Sequence, residues 1–338
     1  MRVHKCTLIR TDSWMLCGQL GFRETTLKSS YRQYAHRFFS CRSARTSPAA
    51  CMPDGGSILR LACAQMVVVA HKGTNIDAAK AAVGRAALAG AHVVMLPEMW
   101  NTPYDNDNFM PYAEDLTGPP GSAPSIDAIR IAAKLHQVTV VAGSVPERDP
   151  SSDKLYNTCV VVGADGNVLG MHRKAHLFDI NIPGKVTFRE SKTLSAGNSM
   201  TVIKVELPTG EIVKIGIGIC YDLRFAELAQ NMCLRHGATV LLYPGAFNLV
   251  TGPAHWSLLQ RARALDNQVF VASCSPARSD EGYQAYGHSM VVDPWGSILG
   301  ELDEKEGLLV VNLVLSKVTE VRQQIPLTQQ RRDALYHS

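Results

Sequence analysis

The sequence lacks the features that mark several large protein classes. It has no apolar run approaching the roughly 20 residues that span a bilayer, and its longest runs, such as Met66 to Ala70, have the length of a strand. Its nine cysteines include no CxxC pair, so neither a zinc site nor a disulfide framework is indicated. Gly216 and Gly218 follow a predicted strand, but position 221 is not the third glycine of a dinucleotide-binding loop. We therefore predict no membrane span, no zinc site and no dinucleotide site.

Charge is modest in amount and unevenly distributed. Residues 1–57 contain nine basic and three acidic residues, whereas the rest of the chain contains 25 basic and 27 acidic residues. The body of the chain therefore gives no electrostatic reason to expect a nucleic-acid partner. The basic, Ser- and Thr-rich first segment suits an organelle transit peptide. It also suits an unstructured extension, or an upstream start codon with Met52 as the true start. A transit peptide predicts a mitochondrial or other organelle matrix, and its absence predicts the cytoplasm.

From Ile58 onwards the apolar pattern is regular, and strands alternate with helices and hairpins. Predicted strands cover 58–66, 92–96, 138–143, 157–162, 167–173, 202–205, 213–219, 239–243, 269–274, 289–293, 297–302 and 308–313, and predicted helices cover 75–88, 122–136, 224–235 and 251–266. Residues 177–200 show weak periodicity and are predicted to form a long loop. The pattern predicts one mixed α/β domain over residues 58–315, followed by a polar C-terminal tail over 316–338.

Three reactive side chains lie where predicted strands end. Glu98 follows the strand HVVML, Lys174 follows the strand that ends at Arg173, and Cys220 follows the strand VKIGIGI. Ligands of open α/β sheets bind at the carboxyl ends of strands, so these side chains can converge on one site. A thiolate is a good nucleophile, a carboxylate can move its proton, and an ammonium can stabilise an oxyanion, together with the backbone N–H of Tyr221. The set suits acyl transfer.

Each residue type also has an ordinary structural explanation. A cysteine at a strand end is more often a small buried filler than a nucleophile, and a Glu after Leu-Pro can be a turn residue. His255 and His288 are alternative bases for a Cys–His pair, but neither has a partner pattern. His172 and His176 are four residues apart, but on a predicted strand and loop rather than one helix, so no metal site is predicted.

Longer blocks of the sequence resemble a known family. The segments LPEMW (96–100), HRKAHLFD (172–179) and GIGICYDLRFAELA (216–229) resemble the signature blocks of the nitrilase, or carbon–nitrogen hydrolase, superfamily. Four further blocks resemble its omega-amidase branch: KAHLFDINIPGKVTFRES (174–191), YPGAFNLVTGPAHW (243–256), RARALDNQVFVASCSPAR (261–278) and GHSMVVDPWG (287–296). The resemblance covers residues 58 to about 315 and has no counterpart for the basic first segment.

The resemblance carries specific expectations. It implies a triad of Glu98, Lys174 and Cys220, and a second glutamate, Glu190, that supports the lysine and orients the substrate. It implies an α-β-β-α sandwich that pairs into a four-layer homodimer or a higher oligomer, and it implies no cofactor. The implied reaction is hydrolysis of the terminal amide of 2-oxoglutaramate or 2-oxosuccinamate, through a cysteine thioester, to the 2-oxo dicarboxylate and ammonia.

The residues that select the substrate are less strongly indicated. A dicarboxylate monoamide needs a cation for its distal carboxylate, and Arg224 lies four residues after Cys220. Arg224 could equally pair with Asp222 or Glu227 in a structural role. Tyr104 could line the pocket or anchor its loop.

Two other functions remain open on the sequence. One is another carbon–nitrogen hydrolase activity, on deaminated glutathione, a carbamoyl amine or a nitrile. The other is a catalytically silent interaction module of the same fold, against which the intact Glu98, Lys174 and Cys220 argue.

Overall fold

The computed structural model describes residues 56–335. The predictions for residues 1–55, including the transit peptide, lie outside the described residues. Within 56–335, no helix combines the length and the apolar character that crossing a membrane requires.

The described chain forms two main sheets. The first sheet has the order β15-β1-β2-β3-β5-β4, with β6 paired to β5, and its strands are β1 (Ile58–Gln65), β2 (Val93–Met95), β3 (Thr139–Val141), β4 (Val145–Asp149), β5 (Lys154–Val162), β6 (Val168–Arg173) and β15 (Gly307–Val314). The second sheet has the order β14-β13-β12-β11-β10-β9, and its strands are β9 (Thr201–Glu206), β10 (Ile212–Ile217), β11 (Val240–Pro244), β12 (Phe270–Cys274), β13 (Met290–Val292) and β14 (Ile298–Glu301). Parallel pairs lie at the centre of both sheets, β1-β2-β3 in one and β10-β11-β12 in the other.

Helices cover the outer face of each sheet. The helices are α1 (Lys72–Leu88), α2 (Asn106–Tyr112), α3 (Pro124–His136), α4 (Ala226–Leu234), α5 (Gly252–Asn267), α6 (Ser316–Gln324) and α7 (Leu327–Gln330). Helices α1 and α3 pack on the first sheet, and α4 and α5 pack on the second. The predicted α-β-β-α sandwich is therefore confirmed.

Alternation along β1 shows how the sequence builds these layers. Leu59, Leu61 and Cys63 point into the core between the two sheets, whereas Ala62 and Ala64 point into the core under α1 and α3. Successive side chains of a strand face opposite sides. An almost continuous apolar run is therefore needed where both faces of a strand are buried.

The structure corrects the sequence prediction at several places. Residues 177–200, predicted as a loop, contain a two-stranded hairpin of β7 (Asp179–Ile182) and β8 (Val186–Arg189). Strand β4 and helix α2 were not predicted at all. The predicted helix over 224–235 begins later, at Ala226, because Arg224 ends a 3₁₀ turn that starts at Cys220.

Candidate active site

The predicted site residues lie at strand ends of both sheets. Glu98 follows β2 by three residues, and Lys174 directly follows β6. Cys220 follows β10 by three residues and begins the 3₁₀ turn, while Glu190 begins a second 3₁₀ turn directly after β8. Cys220 has a φ of 46°, a left-handed conformation that is uncommon for a residue with a side chain. The two sheets and the small hairpin thus deliver their polar residues to one region.

Lys174 lies between two glutamates. Its Nζ is 2.9 Å from Oε1 of Glu98 and 2.9 Å from Oε2 of Glu190, and all three side chains are buried. Burial alone would lower the pKa of Lys174, but the negative charges of Glu190 and Glu98 outweigh it and raise this pKa. Lys174 is therefore held as an ammonium, and each carboxylate has a partner for its charge.

Three further groups hold the glutamates in place. Asn157 donates from Nδ2 to Oε1 of Glu98 at 2.9 Å. Tyr104 donates its hydroxyl to Oε1 of Glu190 at 2.9 Å, and the backbone N–H of Phe178 donates to Oε2 of Glu190 at 2.6 Å. Sequence reasoning placed Asn157 only at the start of a strand. Its place as a polar residue just before the apolar run 159–162 of β5 was the signal that could have identified it.

Cys220 is 4% exposed and lies beside this network. Burial, followed by the charge of Glu98, raises its pKa well above the ordinary thiol value, while Lys174 and a hydrogen bond from the backbone N–H of Ala246 act in the opposite direction. The pKa of Glu98 is also raised, chiefly by burial. Oε2 of Glu98 is buried and accepts no hydrogen bond from the groups that hold Oε1, while the side chains of Glu98 and Cys220 are close enough to affect each other's pKa. This oxygen is therefore available to accept a proton from the thiol.

Asp222 joins the cysteine turn to the lysine segment. Its Oδ2 accepts from Nε2 of His172 at 3.0 Å and from the backbone N–H of Ile219 at 3.0 Å. Its Oδ1 accepts from the backbone N–H and from Nδ1 of His176, at 2.9 and 2.7 Å. Burial would raise the pKa of Asp222, but the hydrogen bonds from His172 and His176 lower it. The two histidines that flank Lys174 along the chain therefore bind a carboxylate two residues beyond Cys220.

No cluster suited to a metal ion is found in the described part of the chain. Within residues 56–335, no group of three or more His, Cys, Asp or Glu side chains is arranged to hold such an ion. The spacing of His172 and His176 instead serves Asp222.

Arg224 and Tyr221 belong to the same 3₁₀ turn as Cys220. The Arg224 guanidinium carbon lies 5.3 Å from the ring centre of Tyr221 and 4.8 Å from that of Phe247. Its Nη1 is 3.2 Å from Nδ1 of His255, while no ion pair with Asp222 or Glu227 forms among residues 56–335. The Nε atom of Arg224 is buried and has no hydrogen-bond partner in the described chain. Arg224 thus keeps a donor that is not used by the protein.

A cavity of about 250 Å³ opens beside the network. Glu98 and Tyr104 line it, together with residues of the β12–β13 loop that include Tyr283 and Glu281. Arg224 does not line this cavity, so the structure does not bring it together with Tyr104. Tyr283 was missed by sequence reasoning because its loop has no strand or helix pattern. The cavity has room for a small molecule rather than for a polymer.

Comparison with known proteins gives a consistent set of relatives. The family model of carbon–nitrogen hydrolases matches residues 60–323. A Mus musculus protein named omega-amidase NIT2 is 50% identical over 281 residues, which cover 83% of this chain and 97% of the relative. An Arabidopsis thaliana protein named chloroplastic omega-amidase is 49% identical over 273 residues, covering 80% of this chain and 72% of the relative. The crystal structure of Saccharomyces cerevisiae Nit3, a member of branch 10 of the nitrilase superfamily, matches with a TM-score of 0.73 and 40% identity, over 81% of this chain and 97% of Nit3.

Proposed function

This chain belongs to the carbon–nitrogen hydrolase family, in its omega-amidase branch, and we propose that Cys220, Glu98 and Lys174 carry out its amide hydrolysis. The observation that carries this proposal is the position of Lys174, buried between Glu98 and Glu190 beside the thiol. A buried ammonium paired to two carboxylates is costly to build for stability alone. It suits a site where negative charge develops during the reaction.

The first half of the proposed reaction forms a thioester. Glu98 accepts the proton of the Cys220 thiol as the sulfur attacks the carbonyl carbon of the terminal amide. The oxyanion that forms is stabilised by the ammonium of Lys174 and by the backbone N–H of Tyr221. Glu98 then returns the proton to the amide nitrogen, the C–N bond breaks, and ammonia leaves.

The second half hydrolyses the thioester. Glu98 takes a proton from a water molecule, whose oxygen attacks the thioester carbon. The C–S bond then breaks, the carboxylic acid product is released, and the proton held by Glu98 restores the Cys220 thiol. Glu190 keeps Lys174 in place in both halves, and Tyr104 fixes Glu190 through its hydroxyl. No cofactor takes part in this scheme.

The proposed substrates are 2-oxoglutaramate and 2-oxosuccinamate, whose distal carboxylate requires a cation. Arg224 is the proposed partner, because its Nε is buried without a protein acceptor. Arg224 lies outside the wall of the cavity lined by Glu98 and Tyr104, so this proposal requires the distal carboxylate to extend beyond that cavity. Arg224 packs on Phe247, and the next residue back along the chain, Ala246, hydrogen-bonds to Cys220. A guanidinium can bind a carboxylate through two parallel hydrogen bonds.

A substrate panel tests this function. Purified protein is assayed for ammonia release from 2-oxoglutaramate, 2-oxosuccinamate, deaminated glutathione and the neutral amide butyramide, with Cys220→Ala as the control. We expect the two 2-oxo amides to have the highest kcat/KM and Cys220→Ala to be inactive on all four. Faster cleavage of deaminated glutathione would replace the proposed substrate, and no ammonia from any amide would favour a silent interaction module.

We also propose that the chain forms a homodimer through the outer face of α5. Leu258 on this helix is 65% exposed, and Leu265 of the same helix lines a groove together with Trp295 and Ile325. An apolar surface of this kind is typical of an interface. Light scattering on the protein as it elutes from a size-exclusion column should give twice the chain mass of 36.8 kDa. A monomer at micromolar concentration would contradict the proposal.

For residues 1–57 we propose an organelle transit peptide. The basic composition supports it, and the Arabidopsis relative is named chloroplastic. N-terminal sequencing of the native protein tests it. A mature chain that starts close to residue 58 in an organelle fraction is expected, whereas a chain that starts at Met1, or at Met52 in the cytoplasm, would contradict the proposal.

A further inference from the structure

Tyr283 lies in the loop between β12 and β13 and has no role in the reaction described so far. It lines the cavity together with Glu98 and Tyr104, and its ring centre is 4.7 Å from that of Tyr104. The loop is fixed against the segment that follows β11, because Ala285 pairs with Asn248 and the N–H of Tyr286 donates to the carbonyl of Phe247. Tyr283 is therefore held at a defined place in the cavity wall.

The Tyr283 hydroxyl reaches the backbone beside the nucleophile. It donates to the carbonyl oxygen of Ala246 at 2.5 Å, and the N–H of the same residue hydrogen-bonds to the sulfur of Cys220. The preceding residue packs closely on the nucleophile, since a Cβ at Gly245 would be 3.4 Å from Cα of Cys220 and 3.3 Å from the ring of Trp256. One backbone residue thus accepts from Tyr283 and donates to the cysteine.

We propose that Tyr283 is a positioning residue for the nucleophile: its hydroxyl orients Ala246 so that the Ala246 N–H supports the thiolate of Cys220. A hydrogen bond to an ionised group is stronger than one to a neutral group, so this N–H favours the thiolate over the thiol. The inference rests on the proposed function, in which Cys220 is the nucleophile. Tyr283 is not a member of the triad and acts on the sulfur of Cys220 only through Ala246.

Tyr283 also contacts the other side of the site. Its ring packs on Tyr104, whose hydroxyl holds Glu190, which in turn binds Lys174. Tyr283 therefore contacts two supporting residues: Tyr104, which holds Glu190 beside Lys174, and Ala246, which lies beside Cys220.

The test is alkylation of Cys220 by iodoacetamide as a function of pH in Tyr283→Phe, with Tyr286→Phe as the matched control. Tyr286 is three residues away and does not line the cavity. Labelling is followed by mass spectrometry on the peptide that contains Cys220, because Cys63, Cys159, Cys233 and Cys274 are also free thiols. Alkylation needs no substrate, so it does not depend on the identity of the amide.

We expect Tyr283→Phe to alkylate Cys220 about 3- to 10-fold more slowly at neutral pH, as loss of one hydrogen bond predicts, with the pH profile moved to higher pH. We expect kcat on 2-oxoglutaramate to fall by a similar factor, a smaller change in KM, and a thermal midpoint close to that of the wild type.

A purely steric role predicts the opposite, because removing the hydroxyl opens the cavity and would speed alkylation. Wild-type or faster alkylation in Tyr283→Phe, or an equal slowing in Tyr286→Phe, would overturn the proposal. If the expected slowing occurs but no amide is hydrolysed by the wild type, the positioning of the thiol stands and the proposed function fails.

Discussion

Asn157 donates from Nδ2 to Oε1 of Glu98 at 2.9 Å, and the same oxygen accepts from Lys174 at 2.9 Å. Two donors on one carboxylate oxygen leave the other oxygen, Oε2, for the proton of the nucleophile. The amide of Asn157 therefore sets which oxygen of Glu98 does the chemistry. No charge is needed for this role, only a donor at a fixed position on β5.

Asn157→Leu should lower kcat. The variant keeps the volume but removes the donor, so Glu98 loses one of its two fixed contacts, and we expect kcat on 2-oxoglutaramate to fall about 10-fold with little change in KM. Thr158→Val is the matched control, because Thr158 is the next residue of β5 and donates to Glu147 rather than to the site. Equal kcat losses in the two variants would mean that Asn157 has only a structural role.

Asp222→Asn should lower both stability and activity. An asparagine cannot accept from both His172 and His176 with two oxygens, so a buried donor is left without an acceptor. We expect urea unfolding at pH 7 to report a loss of about 3 kcal/mol, and alkylation of Cys220 to slow because the turn loosens. Asp77→Asn, on the exposed face of α1, serves as the control. Wild-type stability in Asp222→Asn would contradict the joining role of this carboxylate.

Asp222 also determines how the stability of the fold changes at low pH. Because the pKa of Asp222 is lowered in the folded state, its carboxylate stabilises the fold at every pH above the ordinary value of about 3.9. This contribution is lost as the pH falls through the lowered value. The difference in stability between wild type and Asp222→Asn should therefore shrink only in strongly acidic solution.

Arg224→Gln should separate charged from neutral substrates. If the guanidinium binds the distal carboxylate, kcat/KM for 2-oxoglutaramate should fall about 10- to 100-fold, while kcat/KM for butyramide stays within about 2-fold. Arg261→Gln is the control, since Arg261 donates to the carbonyl of Gly296 away from the site. An equal loss on both amides would show that Arg224 supports the turn rather than the substrate.

The pH profile of kcat/KM should have its acidic limb above the ordinary carboxylate range. The pKa of Glu98 is raised by burial, so Glu98 gains its proton at a pH higher than the usual value of about 4.3 and stops acting as a base there. The pKa of Lys174 is raised as well, so deprotonation of Lys174 should not limit activity in neutral or mildly alkaline solution. Rates measured from pH 4 to 10 that stay flat on the acidic side would contradict the role of Glu98.

Much of the fold can be predicted from the spacing of apolar residues, because this spacing differs between buried strands and helices. The exceptions have physical reasons. Strand β4 contains Pro146 and helix α2 contains Pro111, and proline breaks both patterns. Strands β7 and β8 form a separate hairpin of only four residues each. Their apolar residues alternate with polar ones but are only half-buried, and an alternation this short does not stand out from a loop.

The site was only partly predictable from the sequence. Strand ends indicate Glu98, Lys174 and Cys220 because chain direction fixes where parallel strands end, whereas Glu190 was identified only by family resemblance. The contacts of Asn157 and Asp222 depend on side-chain directions across two sheets, which no local pattern encodes. The catalytic roles of all these residues stay predictions until they are measured.

The central claim is that the sulfur of Cys220 carries the acyl group. The most direct measurement is mass spectrometry of protein quenched in acid during turnover of 2-oxoglutaramate, read on the peptide that contains Cys220. We expect the acyl adduct on this peptide. We also expect ammonia release to fall by about 10⁴-fold or more in Cys220→Ala. An adduct on another residue, or undiminished ammonia release by Cys220→Ala, would contradict it.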